Sequence, residues 1–314
     1  MFKCIGEVFL VKPQDLSTEE RELYRDLKFV NFIFFKEHFQ GDFQEILTRL
    51  KSLGELGFLA VDQEGGRVCR IPGDFASPLE ISLAYQKSGD ISLVKNWAKS
   101  LAKAVIEKGL NLNLAPVVDL VGAEAEEFIR SRTFGKDPEL VKLLGEVVIS
   151  EHKKLRCFTC VKHFPGLDEV NIDPHKALPQ KEKVSQPSLE VFRFFAEKEA
   201  PFLMTTHLVV KTLEDFPVTF SSKAVKMLRE QLGFKGGIVT DDLNMGALGS
   251  WELAERIILS LASGHNLLIF CGSLNELASC LFDIKTEIEK SPTLKARLSE
   301  SLYLLNRLKE RFYG

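Results

Sequence analysis

Gly237-Ile238-Val239-Thr240-Asp241-Asp242-Leu243-Asn244-Met245 decides how the chain is read. Its first half is short, β-branched and apolar on both parities, as a strand must be when both its faces are covered. Its second half turns abruptly polar. Working outward, similar short runs occupy 7–11, 29–35, 57–62, 110–116, 158–163, 202–209 and 266–271, which with 237–241 makes eight strand candidates. Helical periodicity fills the gaps between them. Ser17-Thr18-Glu19-Glu20 reads as a helix start, and apolar residues fall at helical spacing over 43–53. Further helices are expected over 93–108, 138–154, 187–199, 222–232, 251–263, 274–290 and 293–312. Strict alternation of this kind predicts an α/β fold, a (β/α)8 TIM barrel, as a single domain over residues 1–314. An open doubly wound sheet shares the alternation, but no GxGxxG phosphate loop follows the first strand.

Composition narrows the function classes. The 314 residues are 45% hydrophobic and 27% charged, an ordinary globular balance. Forty-one basic against 44 acidic residues give a net charge of −3, which argues against a nucleic-acid partner. No apolar run approaches the roughly 18–20 residues needed to cross a bilayer, so no membrane partner is expected. Glu7 interrupts what would be a signal peptide's apolar stretch. The six cysteines are scattered, which reads as reduced core thiols and a cytoplasmic location. Cys157 and Cys160 have CxxC spacing, but on a strand they point to opposite faces roughly 10 Å apart, too far for a disulfide. A monomer is expected.

In such barrels, chemistry sits at the C-terminal strand ends. Those ends carry the polar clusters here: Asp62-Gln63-Glu64 after strand three, Asp119 after strand four, Lys162-His163 on strand five, His207 after strand six, and Asp241-Asp242 after strand seven. Because successive strand residues face opposite ways, only one of Asp241 and Asp242 is expected to point into the mouth. A strand-end acid can also do no more than cap the next helix. Gly65-Gly66 reads as a tight turn, Trp251 as packing on the barrel, and His207 as either a pocket residue or a hydrogen-bonded core histidine. The six histidines show no HxH or HxxxH spacing, so neither a metal nor another cofactor is expected.

Five motifs in order resemble glycoside hydrolase family 3, and most closely its single-domain β-N-acetylglucosaminidases (β-hexosaminidases). They are Val-Asp-Gln-Glu-Gly-Gly-Arg-Val at 61–68, Asn-Leu-Ala-Pro-Val-Val-Asp at 113–119, Arg-Thr-Phe-Gly at 132–135, Lys-His-Phe-Pro-Gly at 162–166 and Thr-Asp-Asp-Leu-Asn-Met at 240–245. The resemblance covers nearly the whole chain. It implies a retaining exo-β-N-acetylglucosaminidase acting on a small carbohydrate, with cell-wall muropeptide fragments as the substrate source. By the same resemblance Asp241 matches the nucleophile, while His175, oriented by Asp173, matches the acid/base. Asp62, Arg70, Arg132, Lys162 and His163 match the subsite for the terminal sugar; Asp62 is expected to accept from sugar hydroxyls and the four cationic or imidazole groups to donate. An imidazole suits the acid/base role because its ordinary pKa lies near neutrality.

The chain departs from the family in two places. After Lys-His-Phe-Pro-Gly the family continues His-Gly and ends in Asp-Ser-His or Asp-Thr-His. Here Leu167-Asp168 stand in the first position and Pro174 replaces the hydroxyl residue. Around Arg132, Arg130 and Thr133 also differ from the usual pattern. An active enzyme is expected because Asp173 and His175 remain. The altered loop keeps two other readings open: a non-catalytic sugar-binding relative, and a β-glycosidase or phosphorylase with a changed acceptor.

Overall fold

The computed structural model describes residues 2–122, 125–168, 170 and 178–313. Among them, eight parallel strands lie side by side in chain order: β1 (Phe9–Val11), β2 (Asn31–Phe34), β3 (Leu59–Val61), β4 (Leu112–Asn113), β5 (Phe158–Phe164), β6 (Phe202–Thr205), β7 (Gly237–Val239) and β8 (Leu268–Phe270). β8 pairs with β1, Leu268 opposite Phe9. A Val239–Leu267 bridge joins β7 to β8, with the Thr240 N–H donating to the Leu267 carbonyl at 3.0 Å. The sheet therefore returns on itself. Between and outside the strands run α1 (Thr18–Leu27), α2 (Phe43–Lys51), α3 (Ile91–Glu107), α4 (Pro138–Lys154), α5 (Gln186–Glu197), α6 (Ser222–Lys226), α7 (Leu253–Ser263) and α8 (Leu274–Lys290). This is the (β/α)8 barrel the alternation predicts. A last helix, Pro292–Tyr313, packs against α7 and α8. Among the described residues no helix is long and apolar enough to cross a membrane.

Helix starts follow the capping chemistry. Ser17 Oγ accepts the Glu20 N–H at 3.2 Å, and Asp137 Oδ1 accepts the Glu139 N–H at 3.0 Å ahead of Pro138. Some boundaries differ from expectation. The run at 202–209 is split: β6 stops at Thr205, and Val209–Val210 pairs instead with Gln180–Lys181. The first run begins as a 3₁₀ turn, Phe2–Val8, before β1. Helix Pro78–Ser88 has no counterpart in the periodicity, because its apolar residues are spread around its axis rather than forming a stripe.

The strands are short, and asparagine side chains extend their pairing. Asn31 Oδ1 accepts from Phe58 N at 2.8 Å, Asn111 Oδ1 from Leu59 N at 2.7 Å, and Asn266 Oδ1 from Ile238 N at 2.9 Å. Higher up, Asn113 both accepts from Gln63 N (3.0 Å) and donates to Gln63 O (2.9 Å). Each meets backbone groups where the ladder would leave them unpaired.

The interior is graded along the barrel axis. Phe58 meets Phe202 edge-on with ring centroids 4.9 Å apart and Phe158 at 5.3 Å. β3 and β6 are not neighbours in the sheet, so this contact crosses the barrel. Counting in twos from these rings leads upward through Ala60 to Asp62, through Cys160 to Lys162, and to Met204. The parity that fills the floor with aromatic rings thus delivers charge to the mouth. Replacing Phe58 by Ala, where the ring is 1% exposed, should cost about 3–5 kcal/mol in equilibrium urea unfolding. A loss below about 1 kcal/mol would show that the floor is not close-packed.

Candidate active site

A cavity of about 580 Å³ opens at the C-terminal ends of the strands. Asp62, Arg70, Arg132, Lys162, His163 and Asp241 all line it. The structure thus brings together every expected site residue except Asp173 and His175, which lie outside the described residues together with Pro174.

The wall is a network of buried charge. The Lys162 ammonium, 2% exposed, donates to Asp62 Oδ1 at 2.8 Å and lies 2.6 Å from Glu64 Oε1. Arg132 grips the same Glu64 carboxylate with two parallel hydrogen bonds, Nε to Oε2 and a terminal nitrogen to Oε1, both 2.8 Å. Burial alone would raise the Glu64 pKa, but Arg132 and Lys162 outweigh it and hold the carboxyl well below its ordinary 4.5. Burial likewise opposes the charge on Lys162, and Asp62 and Glu64 carry its ammonium above the ordinary 10.5. Both groups are therefore charged at neutral pH. The sequence shows Glu64 as part of a polar strand end but gives it no role.

His163 is held from behind. Its Nδ1 lies 2.7 Å from Asp119 Oδ2, which also accepts the His163 backbone N–H at 3.2 Å. The other oxygen of Asp119 accepts the Leu167 N–H at 2.8 Å. A carboxylate partner places the ring hydrogen on Nδ1. Nε2 then faces an Arg132 N–H at 3.4 Å and is an acceptor. In the neutral ring this leaves Nε2 as an acceptor toward the cavity, whereas the sequence reading expected a donor. Asp119 was visible as a strand-end acid, but nothing local in the sequence links it to a histidine 44 positions later.

Arg70 is held more loosely. A terminal nitrogen lies 4.0 Å from Asp62 Oδ2, the guanidinium sits 5.4 Å from the centre of the Phe35 ring, and Nε has no hydrogen-bond partner among the described residues. Lys12 lies 5.3 Å from the same ring. Lys12 and Phe35 also line the cavity and carried no motif signal.

The two aspartates follow β7 in the chain. β7 ends at Val239, so the alternation rule no longer governs positions 241 and 242, and both residues line the cavity. They differ in their partners. Asp242 Oδ1 accepts the N–H groups of Asn244 and Cys271, each at 3.0 Å, which ties the loop to the end of β8. Burial raises the Asp242 pKa, helped by the neighbouring Asp241 charge and opposed by those two N–H bonds. Asp241 Oδ1 accepts the Asp242 N–H at 2.9 Å. His207 belongs to the core: it is fully buried, donates from Nε2 to the Asp242 carbonyl at 2.9 Å, and meets Thr219 Oγ1 through Nδ1 at 2.7 Å. Trp251 packs edge-on against Phe220, with centroids 5.3 Å apart. Gly65 and Gly66 have φ of +102° and +59° and turn the hairpin Gln63–Gly65/Val68–Cys69, as the sequence implied.

Replacing Glu64 by Gln leaves Lys162 and Arg132 short of a buried counter-charge and should cost about 3–5 kcal/mol at neutral pH. The sign with pH follows from the lowered pKa. The Glu64 contribution is complete above the unfolded value of 4.5 and is lost as pH falls below it. The stability gap between wild type and Glu64→Gln should therefore narrow from pH 7 to pH 3 in urea unfolding. An undiminished gap at pH 3 would contradict the assignment.

Comparison with known proteins gives the family. The model of the glycosyl hydrolase family 3 N-terminal domain matches residues 16–305. A β-hexosaminidase of Photobacterium profundum is 31% identical over 267 residues, covering 82% of this chain and 79% of its own. One from Vibrio cholerae is 29% identical over 317 residues, covering 97% and 94%. Among solved structures, a family 3 β-N-acetylglucosaminidase from a Paenibacillus species superposes with a TM-score of 0.89 at 24% identity. All of this chain is covered there, but it spans only 62% of that longer protein. A β-N-acetylhexosaminidase from Beutenbergia cavernae gives 0.86 at 23% identity, with 98% of each chain covered. The chain belongs to glycosyl hydrolase family 3 and is a glycoside hydrolase.

Proposed function

We propose that the protein is a retaining exo-β-N-acetylglucosaminidase that removes terminal β-linked N-acetylglucosamine. The observation that carries this reading is the placement of Asp241 in the same cavity as Asp62, Arg132, Lys162 and His163. The names of the relatives, β-hexosaminidase and β-N-acetylglucosaminidase, support the choice of sugar.

The proposed reaction has two displacements. The Asp241 carboxylate attacks C1 of the bound sugar. The bond from C1 to the glycosidic oxygen breaks, and that oxygen takes a proton from the imidazolium of His175. The aglycone leaves and a glycosyl ester remains on Asp241. Water then attacks C1 and gives a proton to the neutral imidazole, which frees the carboxylate and restores the starting state. Two inversions give net retention. Asp173 would hold the far ring nitrogen and stabilise the imidazolium. Asp242 is a poor second candidate for nucleophile, because two backbone N–H groups already occupy one of its oxygens.

The wall residues supply binding with little reorganisation. Asp62 is fixed by Lys162, Arg132 by Glu64, and His163 by Asp119, so acceptors and donors are aimed before the sugar arrives. Muropeptide fragments as the natural source follow from the family resemblance. Six unpaired thiols support a reducing, cytoplasmic setting.

Purified protein should release 4-nitrophenol from its N-acetyl-β-D-glucosaminide, with the β-anomer as first product by proton NMR. Asp241→Ala should lower kcat by about 10⁴-fold or more, the scale of losing a nucleophile. Sugar binding without turnover of any aryl β-glycoside would instead identify a binding protein. Sugar 1-phosphate formed only with phosphate present would identify a phosphorylase.

A further inference from the structure

The place where the chain departs from its family carries its own chemistry. Asp168 and Lys181 are each 8% exposed, and they meet. Lys181 Nζ lies 3.3 Å from Asp168 Oδ1 and donates to the Gly166 carbonyl at 2.8 Å. Ser188 Oγ, in the first turn of α5, donates to the same Asp168 oxygen at 2.8 Å. Between the two charged residues lie positions 169–180, which include Asp173 and His175.

Both ends of this junction are fixed to the barrel. On one side, Gly166 N–H donates to the His163 carbonyl at 2.7 Å, and Leu167 N–H donates at 2.8 Å to Asp119, the carboxylate that also holds the His163 ring. Gly166 takes φ of +107°, and a Cβ there would come within 2.6 Å of Asp168 Oδ1. On the other side, Gln180–Lys181 pairs with Val209–Val210 beyond β6, and Lys211 N–H donates to the Lys181 carbonyl at 3.1 Å. An apolar pair could fill the same volume, often with no loss of stability. What an ion pair adds is direction: the ammonium meets the Asp168 carboxylate and the Gly166 carbonyl together.

We propose that Asp168 and Lys181 form a buried ionic clasp that fixes where the segment between them leaves and rejoins the barrel, and so act as positioning residues for proton transfer to the leaving group. The proposal rests on the reading of His175 as acid/base. Asp119 ties the clasp's near end to the cavity wall, because it serves both His163 and Leu167, the residue preceding Asp168.

The test is a leaving-group series on the whole protein. Lys181→Met, Asp168→Ala, Lys181→Arg and the apolar pair Asp168→Leu/Lys181→Met are compared with wild type on aryl N-acetyl-β-D-glucosaminides. The quantity read is kcat/KM, which reports the first displacement. Loss of the clasp should barely affect 2,4-dinitrophenyl substrates, whose leaving group needs no proton. It should reach roughly 10²-fold for phenyl and 4-methylumbelliferyl substrates, the scale of a slightly misplaced catalytic group. Lys181→Arg should restore the wild-type dependence on leaving group, and the double variant should lose no more than the worse single. A loss uniform across leaving groups, or no loss, overturns the proposal. The apolar pair keeps the test open if a lone buried charge prevents folding. Should wild type itself cleave no glycoside, the functional reading fails. The clasp is then decided by amide hydrogen exchange in the apolar pair: faster exchange at 164–168 and 178–184 supports it, and unchanged exchange there overturns it.

Discussion

An ammonium group with 2% of its residue exposed must be neutralised where it stands, and the barrel mouth is organised around meeting that demand for Lys162. Two carboxylates, Asp62 and Glu64, reach it from the end of β3, two strands along the closed sheet from β5, which carries the lysine. Glu64 in turn needs Arg132, which arrives from the loop after β4. Three connections that are far apart in sequence are thereby drawn to one point. None of these groups can move far without leaving a buried charge unpaired. The result is a rigid polar wall, which is what recognition of a sugar's hydroxyls asks of a protein.

The apolar half of the barrel makes this wall affordable. Phenylalanine rings close the floor, and the two-residue repeat of each strand carries the same inward parity up to the charged rim. The gradient from Phe158 through Cys160 to Lys162 is the design in miniature. Large core burial supplies stability at the bottom, and the site at the top can hold groups whose net contribution to folding is small.

Much of this was legible in the sequence, because periodicity is a local property. Alternating strand and helix patterns gave the barrel, and polar strand ends gave the rim. Asp62, Lys162 and Asp241 stood out as charged strand ends, and the family resemblance assigned them and Arg132 to the site. What escaped was pairing. Glu64 and Asp119 look like ordinary loop acids until the fold brings Arg132 and His163 to them, 68 and 44 positions away. The direction of the His163 hydrogen bond could not be read either, because it depends on which ring nitrogen meets the Asp119 carboxylate. The strand rule used to separate Asp241 from Asp242 reaches only to Val239, where β7 ends; their different hydrogen-bond partners separate them instead. Asp168 was visible only as a departure from a pattern; its partner Lys181 becomes evident in three dimensions.

The central claim is that the carboxylate of Asp241 forms the covalent bond to the sugar. The most direct measurement is to incubate the protein with a 5-fluoro N-acetyl-β-D-glucosaminyl fluoride, digest it, and map the added mass. The account predicts one glycosylated peptide, with the sugar on Asp241. A label on Asp242 or another carboxylate would contradict it, as would steady turnover of ordinary substrate with inverted anomeric configuration.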